Sequence, residues 1–314
     1  MLMKLYFSVT LLLICSFSYC MNTIDVSGNQ KEYLGRNRSA LEANNHYSLN
    51  LLTPPENHTN SGNCLKQKLE RGAWFYPQEF NKALNKTLLK DLVNRNFNVI
   101  YFSIGDATNL SAQTLHQYRM FIELAKKNGI NAYAVVLEDP SFVNASSSDL
   151  RGRFEDIIKL TKNMFNVFIV DVEPQVVHGS NPENYLHKYV TMSSVLRKVA
   201  DKHHVKYYDT VPDWYQTKMK NIGIVDGLNS LSSSGIYLLD YSSNVTQIIT
   251  RLDAIKSDVN KCIVLNFKIS PSGNEPYLNS LQIPSIISYL KARESGFGIF
   301  KAIDLVGLPQ NLFS

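Results

Sequence analysis

Two acidic side chains, Asp171 and Glu173, close an otherwise apolar run, Val-Phe-Ile-Val-Asp-Val-Glu-Pro over residues 167–174. Side chains two apart on a strand share a face, so both carboxyls point the same way, above Val167 and Ile169. Phe168, Val170 and Val172 take the opposite face. The strand rise sets the two Cα atoms roughly 6.6 Å apart. Desolvation and mutual repulsion at that spacing raise at least one carboxyl pKa. A carboxyl kept protonated near neutrality can act as a general acid. A bare D-x-E fixes only two positions, and its weight comes from ending a run apolar enough to be buried. The competing reading is a structural ion pair, for which Lys268 and Lys301 are the available cations.

Other strand-like runs also end in polar residues. Glu138-Asp139-Pro140 closes one, Asp209 and Asp213-Trp214-Tyr215 another, and Asp240-Tyr241-Ser242 a third. Asn266 and Lys268 close a further run, and Asp304 follows the last. Asp240 is a candidate partner for the acid, and the Tyr241 hydroxyl a candidate donor to a substrate or an intermediate. The alternative for Asp240 is a cap on the following helix. Asp209 and Asp213 share strand parity and are expected to bind hydroxyl groups. Trp74, Tyr76, Trp214 and Tyr215 are strand-end aromatics that stack on sugar rings or simply pack a core. His203-His204 and His178 lack the spacing of metal ligands, and no G-x-S-x-G elbow is present. Neither a metal nor another cofactor is expected.

These positions need elements to hold them. From residue 73 onward, β-branched and aromatic runs alternate with amphipathic stretches of helix length. The runs are Ala73–Tyr76, Val99–Ile104, Ala132–Leu137, Val167–Val172, Lys206–Val211, Ile236–Asp240, Cys262–Phe267 and Phe297–Ile303. Helices are expected over Thr87–Asn94, Ala112–Asn128, Leu150–Asn163, Asn184–His203, Val245–Val259 and Ile283–Glu294. Ser111 and Asn181-Pro182 supply helix-start chemistry, and Gly129 a helix stop. The unit between Trp214 and Gly235 is weakest, being short and broken by glycine. Such alternation implies a parallel sheet with right-handed crossovers. Eight units over residues 73–308 match a closed (β/α)8 TIM barrel, which takes about 250 residues. An open doubly wound sheet is the competitor, but no glycine-rich phosphate turn follows the first strand. In a barrel, strand C-termini form the functional face, where the polar residues gather.

The ends of the chain bear on compartment. Residues 1–20 join one lysine, an apolar core over Leu5–Ile14 and small residues up to Cys20. That is the layout of a cleaved signal peptide, with an uncleaved anchor as the alternative. Secretion to an extracellular or periplasmic space follows, with no stable membrane insertion after cleavage. Residues 21–71 are polar, rich in Asn and Ser, and form a loosely ordered extension before the barrel domain of residues 72–314. Cys64 and Cys262 remain after cleavage, and are expected to form one disulfide tying the N-terminal segment to the barrel, with two buried thiols as the alternative. Six sequons, at Asn37, Asn57, Asn85, Asn109, Asn144 and Asn244, permit glycosylation in a eukaryotic host without arguing for it. The net charge of +5 is spread without blocks of like sign, which disfavours nucleic acid as a partner.

With those residues in place, the chain resembles the glycoside hydrolase family 18 barrels and related secreted glycosidase-like barrels. The family carries D-x-x-D-x-D-x-E on strand four, where its Glu protonates the glycosidic oxygen and its last Asp orients an acetamido nucleophile. Aligned on Glu173, the last Asp is Asp171, while the earlier Asp positions hold Ile169 and Asn166. Leu239-Asp240-Tyr241 approximates the strand-six M-x-Y-D with Tyr and Asp exchanged. Related barrels order Asp-Val-Glu-Pro, Pro-x-Trp-Tyr and Leu-Asp-Tyr as Asp171–Pro174, Pro212–Tyr215 and Leu239–Tyr241 do here. The resemblance covers roughly residues 72–308. It implies a secreted hydrolase of polysaccharide, with Glu173 as acid, Asp171 assisting and Asp240 and Tyr241 in support. It further implies substrate contacts from Trp74, Tyr76, Glu138, Asp209, Asp213, Trp214, Asn266, Lys268 and Asp304. The alternative is a barrel that has lost catalysis and binds glycan without cleaving it.

Overall fold

The computed structural model describes residues 70–77, 82–105, 109–178, 181–271, 275–306 and 308–313. The leader, most of the polar extension, and Cys64 lie outside the described residues, so the leader and the Cys64–Cys262 pairing remain expectations.

Eight parallel strands close on themselves in sequence order. They are β1 (Arg71–Phe75), β2 (Val99–Gly105), β3 (Asn131–Val136), β4 (Val167–Val170), β5 (Lys206–Pro212), β6 (Gly235–Leu239), β7 (Cys262–Lys268) and β8 (Phe297–Phe300). The seam is the pairing of Gly72 with Gly298 between β1 and β8. Between strands run α1 (Lys82–Asn94), α2 (Ala112–Lys127), α3 (Ser147–Leu160), the single-turn α4 (Gln175–His178), α5 (Leu186–Lys202), α6 (Tyr215–Asn221), α7 (Val245–Asp258) and α8 (Ile283–Ala292).

Local chemistry sets several boundaries. Ser111 caps α2 by accepting from the Thr114 amide at 3.1 Å. Gly129, with φ +78°, turns the chain after it in a conformation that glycine adopts freely. Asn181-Pro182 opens a 3-10 turn, so α5 begins only at Leu186. The weak fifth unit is the two-turn α6, ended where Gly223 and Gly227 both take positive φ. Among the described residues no α-helix follows β8: Ile303 falls in a 3-10 turn over Ala302–Leu305, not in an extended eighth strand. A second turn, Gln310–Phe313, packs beneath. Arg95 at the end of α1 donates to the carbonyls of Leu305, Leu308 and Pro309, anchoring this segment.

Strand alternation divides the core in two. Outward residues such as Phe75, Phe102, Phe168, Leu238 and Phe267 pack against the helices. Inward residues Trp74, Val99, Tyr101, Val135, Val167, Ile169, Tyr208, Tyr237, Leu239 and Val264 fill the barrel. Aromatic rings dominate this filling, meeting edge to face at 5.6 Å (Trp74–Tyr101), 5.1 Å (Tyr101–Tyr237) and 5.4 Å (Tyr208–Tyr237). Each such pair adds about 0.5–1.5 kcal/mol beyond area burial. Space for them comes from inward glycines: a Cβ at Gly72 would sit 2.0 Å from Tyr101 Cζ. Their polar tips are satisfied, since the Tyr101 and Tyr237 hydroxyls both donate to Glu70 Oε1, at 2.8 and 2.7 Å.

Candidate active site

β4 ends its pairing at Val170, and the Asp171 amide continues the ladder by donating to the Val136 carbonyl at 3.1 Å. Val167 and Ile169 belong to the interior cluster, and Phe168, Val170 and Val172 to the outer one. Continued alternation puts Asp171 and then Glu173 over the barrel mouth. Burial, then the neighbouring Glu173 and Glu138 carboxyls, hold the Asp171 pKa well above its ordinary value. The Thr210 hydroxyl, on the inward parity of β5, opposes that shift. Neither it nor the buried Asp171 Oδ1 makes a close hydrogen bond among the described residues. Burial and the charge of Glu275 push Glu173 up to about 6. Its Oε2 accepts from Gln175 Nε2 at 3.3 Å, and Gln175 Oε1 in turn accepts from the Tyr215 hydroxyl at 2.8 Å.

Aromatic and polar groups surround the pair. Burial and then the charges of Glu173 and Asp171 raise the Tyr241 pKa; burial, Asp171 and Glu138 do the same for Tyr76. Both hydroxyls therefore stay protonated beside the carboxyls. Phe300 packs against Tyr76 at 5.8 Å and Tyr241 at 5.5 Å, completing an aromatic wall. Glu138 arrives through Leu137, whose φ of +54° turns the chain at the end of β3. The Ser103 hydroxyl donates to Glu138 at 2.6 Å, yet burial still holds this carboxyl above its ordinary pKa. Lys268 does not neutralise Asp171 or Glu173: its ammonium bonds Glu275 at 2.6 Å. Glu275 also lines a groove of about 480 Å³, together with Ser243, Tyr277, Asn279 and Gln282.

Several expected residues lie elsewhere. Asp240 follows the outward-facing Leu238, and Arg251 of α7 bonds it at 2.9 Å and Asp213 at 2.7 Å. It neither pairs with Glu173 nor caps α7, whose cap is Asn244. Burial, with the charge of Asp213, pushes Asp240 up to about 7 against the pull of Arg251. Asp209 shares the outward parity of Tyr207 and Val211, and accepts from the Ser193 hydroxyl of α5 at 2.7 Å and from Tyr207. Asp209 and Asp213 thus serve hydrogen bonds and ion pairs between strands and helices. Trp74 is buried below the mouth and donates to Asn266 at 2.9 Å, which commits both to the interior. Trp214 packs against the helix layer, and Asp304 accepts from Ser270. The site instead gains Ser103, Thr210, Gln175 and Glu275. Glu275 had a visible signal, as the sole acid between β7 and α8. Among the described residues no group of His, Cys, Asp and Glu is arranged to hold a metal, and no helix is long and apolar enough to cross a membrane.

Chemically, a half-buried acid poised near 6, beside a carboxyl shifted upward by burial and two tyrosine hydroxyls, can donate a proton to a polar substrate. No family model and no curated protein matches the sequence. Solved structures do match the fold. A chitinase from Chromobacterium violaceum superposes with a TM-score of 0.54 at 13% identity, covering 78% of this chain and 96% of that one. A glycoside hydrolase family 18 chitinase from Pseudoalteromonas aurantia gives 0.53 at 11% identity, covering 74% and 94%. A β-mannanase from Streptomyces thermolilacinus, solved with mannohexaose, gives 0.52 at 10% identity, covering 74% and 78%. At such identities the likeness is one of fold, and the fold is a glycosidase-like (β/α)8 barrel resembling family 18.

Proposed function

We propose that the chain is a secreted glycoside hydrolase acting on an extracellular or cell-wall polysaccharide. The observation that supports this best is Glu173 itself, an acid at the mouth of a closed barrel, raised to about 6 and steadied by Gln175. Glu173 donates its proton to the glycosidic oxygen. Asp171, shifted toward the neutral acid by burial and by the Glu173 and Glu138 carboxyls, offers Oδ1, which makes no close hydrogen bond among the described residues, to a polar group of the sugar, and Tyr241 a hydroxyl. The fold-level neighbours, which include chitinases and a mannanase seen with mannohexaose, agree with a glycan substrate.

Purified protein tested against chitin, mannan, cellulose and peptidoglycan fragments decides the matter. Glu173→Gln should lower turnover by about 10²–10⁴-fold, the usual worth of a positioned acid. In the parent, kcat/KM should fall as pH rises past about 6, because the donor must be protonated. Hydrolysis that survives the substitution unchanged would exclude this role. A second reading, glycan binding without turnover, draws on Asp240 being held by Arg251 away from the mouth. Retention on one of these polysaccharides by a parent that releases no sugar would favour it.

A further inference from the structure

We propose that Glu275 supplies the ionised carboxylate that faces the sugar ring as the glycosidic bond breaks, opposite the proton donor Glu173. This rests on the glycosidase reading and extends it to a residue that neither the strand-four motif nor the strand-six motif contains.

Breaking a glycosidic bond builds positive charge on the ring, and a site that stabilises it needs a nearby negative group. The three carboxyls at the mouth serve this poorly. Glu138, Asp171 and Glu173 are each shifted toward the neutral acid, mainly by burial. Asp240, the expected partner, points away and is matched by Arg251. Glu275 differs in kind. Burial pushes its pKa up, but the hydrogen bond from Lys268, with the charges of Lys268 and Lys301, brings it below its ordinary value. Lys268 rises from the inward parity of β7 and is only 2% exposed, whereas Glu275 remains 45% exposed. The lysine therefore fixes the carboxylate from below and leaves it open to a ligand. Its negative charge also reaches Glu173, and there it helps keep the donor protonated. One charge thus does two jobs, holding the proton on the acid and opposing the cation that forms when that proton leaves.

The surroundings of Glu275 suit a sugar chain. Glu275 lines the 480 Å³ groove, where Ser243, Asn279 and Gln282 bring hydroxyl and amide groups, and the half-exposed Tyr277 a ring. A glycan lying from the mouth into this groove crosses Glu275. In the step itself, the Glu173 proton goes to the glycosidic oxygen. The carbon–oxygen electron pair leaves with that oxygen, and the first product departs as an alcohol. The ring cation stays opposite Glu275 until water adds to the anomeric carbon and returns a proton to Glu173. One water is consumed and both carboxyls end as they began.

The deciding experiment compares parent, Glu275→Gln, Glu275→Asp and Glu173→Gln on the polysaccharide and on an aryl glycoside whose phenol leaves without protonation. Glu275→Gln should lose about 100-fold or more in kcat on both substrates with KM little changed, as removal of transition-state charge stabilisation does. The basic limb of its pH profile should also move to lower pH, since Glu173 loses a negative neighbour. Glu275→Asp should recover part of the rate. Glu173→Gln should lose activity on the polysaccharide and regain most of it on the aryl glycoside. Unchanged kcat and pH profile in Glu275→Gln, with Glu173→Gln inactive on polysaccharide, would overturn the role of Glu275 alone. Full polysaccharide activity in Glu173→Gln would overturn the hydrolase mechanism, and a parent that cleaves no glycan would overturn both.

Discussion

Asp171 illustrates how a side chain set up for chemistry weakens the fold that carries it. Its Oδ1 is buried and makes no close hydrogen bond among the described residues, and its neighbours Glu173 and Glu138 are both acids. The folded pKa lies above the unfolded one, so between the two values the folded chain binds more protons than the unfolded chain. Stability therefore falls as pH rises through that window, and is unaffected below the ordinary carboxyl value. Asp171→Asn should remove the penalty. Thermal melts should show the variant matching the parent near pH 3 and exceeding it increasingly as pH rises to 8. Superimposable melts at both pH values would mean that the fold does not raise the Asp171 pKa. The facing direction of Asp171 and Glu173 was legible in the sequence, because strand parity is a local property. Thr210 was not, because it reaches Asp171 from β5; Gln175, two residues past Glu173, reaches back from the first turn of α4, which strand parity does not reveal.

At the scale of elements, Asp209 and Asp240 mark where sequence reasoning stopped. A polar residue at a strand end reveals which end of the barrel it occupies, but not which face. Tyr208 and Tyr237 point inward, so Asp209 and Asp240 must point out; the tyrosines, equally at home on either face, hid the parity. Behind the wall, Asp240 and Asp213 share Arg251 and tie β6 and the loop after β5 to α7. Arg251→Met would leave two acids together, one of them only 1% exposed. Breaking a buried pair costs about 3–5 kcal/mol. Arg251 is 39% exposed, and solvent screening reduces the expected loss to roughly 1–3 kcal/mol. Asp240 can discharge by taking a proton, so urea melts should show a larger loss at pH 8 than at pH 5. Adding Asp240→Asn should restore most of it. An equal loss at both pH values would indicate lost packing of the arginine stem instead.

At the scale of the whole molecule, the alternation was readable because the units before β8 repeat the same change from period two to period 3.6. The interior that closes the barrel was not, since it depends on partners far apart in sequence. Gly72 of β1 faces Tyr101 of β2, and Gly298 of β8 packs beside Tyr101 and Asn266. Large rings can fill the barrel only where the strand opposite carries no side chain. Gly72→Ala tests this directly, since the added carbon would lie 2.0 Å from Tyr101 Cζ. The ring cannot retreat, because its hydroxyl is held by Glu70 and its face meets Trp74 and Tyr237. Overpacking of this kind costs about 1–3 kcal/mol. Tyr101→Leu alone should also destabilise, by leaving a cavity and an unpaired Glu70 bond. The double variant should be more stable than the sum of the two losses allows, because the smaller side chain admits the new methyl. Strict additivity in chemical denaturation would show that Gly72 and Tyr101 do not compete for one space. The closed interior would then need another explanation.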